Sequence, residues 1–223
     1  MMFINKFRPR VKICGLTRIE DAIGCGELGV DAIGCVFYPK SPRHLTQDRA
    51  REICAAVPER IKTVGVFVNN TYSDIMQHVE YCHLSTVQLH GHESPELVRR
   101  LRKEHLHVIK ALFIDHEPFL KDASEYQASA FLVECGQGKL PGGNALEWNW
   151  KLAKNFGEKH PLIIAGGLAP ENVAHAVEMS APNAVDVSSG VEEAPGQKDL
   201  DKIKAFMDVV SRCEIVKNPE NCF

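Results

Sequence analysis

The stretch LIIAGGLAPENVAHAVEMSAPNAVDVSSG, residues 162 to 190, contains one complete copy of the pattern that decides the fold. It opens and closes with short apolar runs, residues 162–167 and 184–190, and an amphipathic segment that begins at Pro170-Glu171-Asn172 lies between them. Short continuous apolar runs are typical of parallel strands covered on both faces, and Pro is favoured in the first turn of a helix. The stretch therefore predicts a strand–helix–strand unit.

The same alternation extends over the rest of the chain. The other short runs rich in Val and Ile are residues 11–15, 32–37, 63–69, 86–91, 108–114 and 130–135. Helix starts are predicted at Thr17, at Thr46 and at Ser94-Pro95-Glu96, and a last long helix over residues 198–210. Eight such units without a linker predict an α/β protein with a single (β/α)8 TIM barrel. An open doubly wound sheet is the alternative, which the lack of a first-turn GxGxxG disfavours.

The predicted organisation is one barrel domain over residues 1–223, with a short N-terminal extension at 1–10 and a C-terminal tail at 211–223. A chain of 223 residues fits this, because α/β barrels often exceed 200 residues as one domain. The sequence leaves the oligomeric state open between a monomer and a homodimer.

Charge and cysteine usage limit the partners. The formal net charge of −3 offers no broad basic field for nucleic acid or a membrane surface, and no apolar run is long enough to span a bilayer. We therefore expect a small-molecule partner. The eight cysteines are scattered without a CxxC pair, which favours free, mostly buried thiols in a reducing cytoplasm.

The ends of the last two apolar runs predict a phosphate site. Barrel chemistry lies at the C-terminal ends of the strands, and the loops after strands seven and eight are the usual phosphate site. Here those loops supply glycines, which let backbone N–H groups approach an anion, and hydroxyl donors. The candidate residues are Gly166, Gly167, Asp186, Ser188, Ser189 and Gly190.

Two further strand ends supply an acid–base pair. Cys14 ends the first run, and a thiol acts as a base where nearby positive charge lowers its pKa. Glu134 ends the sixth run, where a carboxylate is costly to bury unless it is paired or functional. Arg43 lies in a loop with two prolines and suits the bidentate binding of a carboxylate. If Cys14 and Glu134 face each other across the barrel mouth, they can act on opposite sides of one substrate.

Seven motifs resemble, in order and spacing, the phosphoribosylanthranilate isomerase family. They are KICGLT at 12–17, FYPKSPR at 37–43, VGVFVN at 64–69, VQLHG at 87–91, PGG at 141–143, AGGL at 165–168 and DVSSGVE at 186–192. The resemblance covers about residues 11–207, nearly the whole chain, and KICG, FYPKSPR and DVSSGVE are highly specific as a set.

The resemblance implies an Amadori rearrangement in tryptophan biosynthesis, in which N-(5-phosphoribosyl)anthranilate becomes 1-(2-carboxyphenylamino)-1-deoxyribulose 5-phosphate. It implies Cys14 as general base, Glu134 as general acid and Arg43 as the ligand of the anthranilate carboxylate. The Gly and Ser loops would hold the phosphate, and His90 would line the mouth. No redox cofactor is expected, because the reaction involves no redox change, and no metal is expected, because the iminium itself is the electron sink.

The chain departs from the family pattern at two places. The family usually has Asp where this chain has Glu134, and Asn144-Ala145 replaces a small hydroxyl residue followed by Gly. An extra methylene moves the acid by roughly 1 Å, a displacement that can cost about a hundredfold in rate. Asp115 and Asp186 are the alternative acids. Two other functions stay open: another phosphosugar isomerase, and a catalytically weakened barrel that binds a phosphometabolite.

Overall fold

Eight parallel strands close into a barrel in the computed structural model, which describes residues 7–136, 147–216, 218–219 and 222–223. Neighbouring strands pair in chain order, and β1 pairs with β8 to complete the ring. The strands are β1 Arg10–Cys14, β2 Ala32–Val36, β3 Lys62–Phe67, β4 Thr86–Leu89, β5 His107–Phe113, β6 Ala130–Glu134, β7 Leu162–Ile164 and β8 Ala184–Val187. The predicted TIM barrel is confirmed. The PGG motif at 141–143 and Asn144-Ala145 lie outside the described residues.

The last two strands are shorter than their apolar runs. β7 ends at Ile164 and β8 at Val187, although the runs continue to residues 167 and 190. Gly166 and Gly167 adopt positive φ values of 85° and 69°, which a strand does not accommodate. These residues therefore form loops at the C-terminal end of the barrel, where the phosphate site is predicted.

Side chains alternate between two apolar layers along each strand. Small residues such as Ala32, Ala130 and Ala184 belong to one cluster inside the barrel. Larger residues such as Ile33 and Val185 belong to the layer between the strands and the helices. Both faces of the strands are buried, which is why the sequence shows nearly continuous apolar runs.

Seven α-helices occur in the described part of the chain. They are α1 Ile19–Glu27, α2 Gln47–Ala55, α3 Tyr72–Cys82, α4 Pro95–Lys103, α5 Lys154–Gly157, α6 Val173–Ser180 and α7 Leu200–Val210. Two predicted starts are confirmed. The Thr46 side chain accepts a hydrogen bond from Arg49 N at the start of α2, and Ser94 caps α4 with Pro95 in its first turn.

Three predicted helix starts are wrong. The Thr17 hydroxyl does not cap α1; it bonds to the Gly196 carbonyl oxygen at 2.5 Å instead. Pro170 lies in a turn, and α6 begins only at Val173, because the Asn172 side chain bonds to backbone groups of the preceding turn. Lys198 belongs to a short strand, and Asp199 caps α7.

The connections on either side of β6 depart from the regular alternation. β5 and β6 are joined through a 3-10 helix, Leu120–Glu125. Between β6 and β7 the described residues form another 3-10 helix, Trp150–Ala153, and the four-residue α5. After β8 the chain adds a hairpin of β9 Glu192–Ala194 and β10 Gln197–Lys198. The hairpin was not predicted.

Residues near both chain ends pack against the barrel. Phe7 and Ile215 form an antiparallel bridge. Cys222 and Phe223 are buried in the cluster inside the barrel, with the alanines that begin β2, β6 and β8. The single-domain division with its extension and tail stays a prediction. Among the described residues, no helix is both long enough and apolar enough to cross a membrane.

Candidate active site

A cavity of about 760 Å³, its open mouth included, lies at the C-terminal ends of the strands. Its walls come from the ends of all the strands except β5 and from the loops that follow them. The lining residues are Cys14, Val36, Tyr38, Ser41, Arg43, Val66, Val68, Gln88, His90, Glu134, Ala165, Gly166, Gly167, Leu168, Asp186, Val187, Ser188 and Ser189. This is the end of a TIM barrel at which active sites are found.

Nine of the predicted site residues line this cavity. They are Cys14, Arg43, His90, Glu134, Gly166, Gly167, Asp186, Ser188 and Ser189. Gly190 does not line it, because Gly190 packs so tightly against the backbone of Leu168 that a Cβ there would lie 1.9 Å from the Leu168 carbonyl oxygen. Asp115, one of the alternative acids, is exposed and also lies away from the cavity wall. The structure therefore brings the thiol and the carboxyl of Glu134 to one space.

The carboxyl of Glu134 is buried and contacts a histidine. His90 Nε2 lies 3.3 Å from Glu134 Oε1, and Gln88 Nε2 lies 2.9 Å from His90 Nδ1. Gln88 Oε1 is buried with no partner among the described residues. Turning the amide over, which exchanges its oxygen and nitrogen, would let Oε1 accept from Nδ1–H. His90 Nε2 would then accept a hydrogen bond from a protonated Glu134.

A buried ion pair lies below the thiol. Lys12 Nζ donates to Asp186 Oδ1 at 2.8 Å, and the Lys12 side chain is fully buried. Burial raises the pKa of Asp186, although the Lys12 ammonium acts in the opposite direction. Burial also raises the pKa of Cys14, and again Lys12 opposes the rise. The raised pKa thus favours a neutral thiol.

Arg43 reaches the cavity wall already bound to a carboxylate. Its Nε and Nη2 donate to Glu192 at 2.8 and 2.7 Å, and Lys198 Nζ donates to Glu192 Oε1 at 2.7 Å. Within the described residues, Nη1 of Arg43 makes no hydrogen bond. A second carboxylate would therefore meet Arg43 at its Nη1 side, with Glu192 fixing the plane of the guanidinium.

Glycine at position 15 makes room for this arginine. Gly15 has φ of 76°, and a Cβ there would lie 2.4 Å from Arg43 Cδ. Position 15 is therefore restricted to glycine both by its backbone conformation and by the space that Arg43 occupies.

The cavity is chemically divided. Val36, Val66, Val68 and Tyr38 form an apolar wall at the ends of β2 and β3, near Arg43. On the other side lie the loops after β7 and β8, where the Ser188 hydroxyl donates to the Cys14 carbonyl oxygen at 2.9 Å. An apolar ring and an anionic group can thus occupy opposite ends of one ligand.

Sequence reasoning missed several residues that shape the site. Lys12 and Gln88 received no role, although each lies two residues before a predicted site residue and so shares its strand face. Glu192 and Lys198 lie in the hairpin after β8, which no apolar run indicates. Over the described ranges, no cluster of three or more His, Cys, Asp and Glu side chains is placed to hold a metal ion.

Comparisons with known proteins agree on one family. A family model described as N-(5'-phosphoribosyl)anthranilate (PRA) isomerase matches residues 11–209. An N-(5'-phosphoribosyl)anthranilate isomerase from Desulfatibacillum aliphaticivorans is 51% identical over 214 residues, which cover 96% of this chain and 98% of that protein. One from Syntrophus aciditrophicus is 41% identical, covering 94% of this chain and 90% of that one.

Solved structures give the same result. The crystal structure of phosphoribosyl anthranilate isomerase from Thermotoga maritima has a TM-score of 0.82 and 40% identity, covering 91% of this chain and 98% of that one. A crystal structure of such an isomerase in complex with reduced 1-(o-carboxyphenylamino)-1-deoxyribulose 5-phosphate has a TM-score of 0.79 and 40% identity, with the same coverage. The chain belongs to the N-(5'-phosphoribosyl)anthranilate isomerase family.

Proposed function

We propose that this chain converts N-(5'-phosphoribosyl)anthranilate into 1-(2-carboxyphenylamino)-1-deoxyribulose 5-phosphate, with Cys14 as general base and Glu134 as general acid. One observation carries the assignment of the roles. A thiol, a carboxyl, an arginine, an apolar wall and a pair of Gly and Ser loops line the same cavity. These groups suit, in kind, the parts of the substrate: a carbon acid and a ring oxygen in the sugar, a carboxylate, an aromatic ring and a phosphate.

The first step opens the sugar ring. Glu134 gives its proton to the ring oxygen, the bond from that oxygen to the anomeric carbon breaks, and the nitrogen lone pair forms an iminium. Glu134 must carry a proton at this step, and His90 Nε2, 3.3 Å from Glu134 Oε1, can accept from the carboxyl in the tautomer that holds the ring proton on Nδ1. Glu134 therefore has both the position and the partner that a general acid needs.

The second step moves a proton from carbon. The positive iminium acidifies the neighbouring sugar carbon, and Cys14 removes its proton as a thiolate. The electron pair neutralises the nitrogen, which gives an enolamine that becomes the ketose by proton transfer. The reaction is an isomerisation, so the substrate is neither oxidised nor reduced overall.

Binding of the ends of the substrate fixes the sugar between these two groups. We assign the anthranilate carboxylate to Arg43 and the aromatic ring to the wall of Val36, Val66 and Val68. The phosphate is assigned to the loops that contain Gly166, Gly167, Ser188 and Ser189, and the sugar hydroxyls to His90 and Asp186.

We extend the proposal to location and assembly. All eight cysteines are free, which supports a cytoplasmic location because thiols persist in reducing compartments. A related structure is described as monomers generated from a dimeric phosphoribosylanthranilate isomerase of Thermotoga maritima. For this chain, a monomer and a homodimer both stay open.

Steady-state turnover tests the function. The substrate is generated in the assay, and the loss of its fluorescence is followed with wild type, Cys14→Ser and Cys213→Ser. Cys213 is a half-buried thiol far along the chain from the cavity wall, so its variant is the matched control. We expect turnover by wild type and Cys213→Ser, with Cys14→Ser reduced at least about a hundredfold. Wild-type turnover by Cys14→Ser would contradict the assignment.

A further inference from the structure

A buried lysine inside the barrel has no part in the mechanism above. Lys12 lies two residues before Cys14 on β1, so both side chains lie on the same face of the strand. The Lys12 side chain is fully buried, and its neighbours Val11 and Ile13 are apolar. Burying an ammonium is costly unless it is paired, so its position calls for a physical reason.

The ammonium binds one group and acts on another. Lys12 Nζ donates to Asp186 Oδ1 at 2.8 Å, and its positive charge also acts on the Cys14 thiol. Gly34 on β2 leaves the space for this arrangement. A Cβ at Gly34 would lie 2.8 Å from Cys14 Sγ and 3.2 Å from Lys12 Cε. The Cys14 thiol and the methylene chain of Lys12 therefore occupy the space that a side chain at Gly34 would fill.

The other cationic side chains that act on the thiol are already bound to a carboxylate. Lys198 and Arg43 both act on Cys14 through their charge, but both are bound to Glu192. Glu134 at the end of β6 and His90 just after β4 act on Asp186 through charge. Burial raises the pKa of Cys14, Lys12 makes the largest opposing contribution, and Asp186 adds to the rise.

We propose that Lys12 is a positioning residue that stabilises Cys14 as a thiolate, and that Asp186 limits this effect by competing for the same ammonium. The proposal rests on the proposed role of Cys14 as the base. It predicts opposite consequences for the two partners of one ion pair. Losing the lysine makes the thiol harder to ionise, and losing the carboxylate charge makes it easier.

The test measures the thiol without substrate. Holding the protein at a series of pH values, one follows the rate at which iodoacetamide alkylates Cys14, where the thiolate displaces iodide. Mass spectrometry of the Cys14 peptide separates it from the other seven cysteines. The alkylation of Cys213 in the same samples is the internal control, because Cys213 lies in the segment after α7. The variants are Lys12→Met, Asp186→Asn and the double variant.

We expect the alkylation midpoint of Lys12→Met to rise by about one pH unit or more and that of Asp186→Asn to fall by a similar amount. The double variant, which leaves no unpaired buried charge, keeps the test valid if Lys12→Met alone unfolds. Its midpoint should lie above that of Asp186→Asn. All Cys213 midpoints should stay at the wild-type value.

Two results would overturn the proposal: shifts of the same sign in the two single variants, or equal midpoints in Asp186→Asn and the double variant. These outcomes are independent of turnover. If the midpoints shift as expected but Cys14→Ser stays active, the base assignment fails and the electrostatic pairing stands. If Cys14→Ser is inactive and the midpoints do not move, the pairing fails and the function stands.

Discussion

Arg43 and Glu192 form a bidentate, buried ion pair across the mouth of the barrel, with N–O distances of 2.8 and 2.7 Å. The pair joins the loop after β2 to the hairpin after β8. Lys198 donates to the same carboxylate, so the single negative charge of Glu192 is shared by two buried cations, and its contact with Arg43 fixes the plane of the guanidinium. The proposed carboxylate-binding side of Arg43 therefore depends on a residue that does not itself line the cavity.

Replacing Glu192 by Gln should weaken substrate binding more than chemistry. Because Arg43 loses its charged partner, we expect KM to rise about tenfold with a smaller change in kcat. Two buried cations lose their counter-charge, so the free energy of unfolding in urea should fall by about 3 kcal/mol. Glu193→Gln is the control, because the neighbouring Glu193 side chain is exposed. An unchanged KM in Glu192→Gln would contradict the role of the pair.

Adding a methyl group at Gly15 should displace Arg43. The new Cβ of Gly15→Ala would lie 2.4 Å from Arg43 Cδ, while Gly29, with a similar φ of 73°, has nothing within 4 Å. Both alanine variants pay the same backbone cost of about 1 to 2 kcal/mol. Only Gly15→Ala should also raise KM, by about tenfold or more. Equal KM values in the two variants would show that the contact with Arg43 has no bearing on binding.

Two substitutions at position 134 separate the effect of the transferable proton on kcat from the effect of side-chain length. Glu134→Gln removes the transferable proton, and we expect kcat to fall by about a thousandfold. Glu134→Asp restores the residue usual in the family and should keep kcat near the wild-type value or raise it. Glu178→Gln, an exposed change on α6, is the control. Activity of Glu134→Gln close to wild type would move the acid role to another group, such as Asp186.

Acid should destabilise the fold through His107 at the N-terminal end of the barrel. Burial lowers the pKa of His107 to about 4 from 6.5. Between pH 4 and pH 6.5 the unfolded chain therefore binds more protons at His107 than the folded chain does. The free energy of unfolding is accordingly highest, as far as His107 is concerned, above pH 6.5, and it decreases as the pH falls toward 4. The measurement is Tm at about pH 7 and about pH 4.5, which roughly bracket the range in which His107 titrates differently in the two states. The decrease in Tm between them should be smaller in His107→Gln than in wild type. The exposed His175→Gln should behave as wild type; a loss in His107→Gln as large as that of wild type would contradict the assignment.

The barrel and most of the cavity wall could be predicted from the sequence because both depend on local patterns. A strand covered on both faces must be apolar at nearly every position, so eight runs mark eight strands. The residues at the ends of those runs must then lie at one end of the barrel. Cys14, Glu134 and the glycines after β7 were found by this rule.

The rest depended on contacts between distant parts of the chain. Arg43 and Glu192 are 149 positions apart, and Thr17 bonds to Gly196 across 179 positions, which removed it from its predicted role as a helix cap. No local pattern indicates either contact. Lys12 and Gln88 are different, because a polar residue two positions before a site residue in an apolar strand is a signal that strand periodicity could have used.

The most direct test of the account is a crystal structure of this protein with the reduced product analogue that a related isomerase has been solved with. The account predicts the phosphate against the loops after β7 and β8, the carboxylate at Arg43, and the sugar chain with Cys14 on one side and Glu134 on the other. An analogue whose phosphate lies elsewhere, or whose sugar contacts only one of these two side chains, would contradict it.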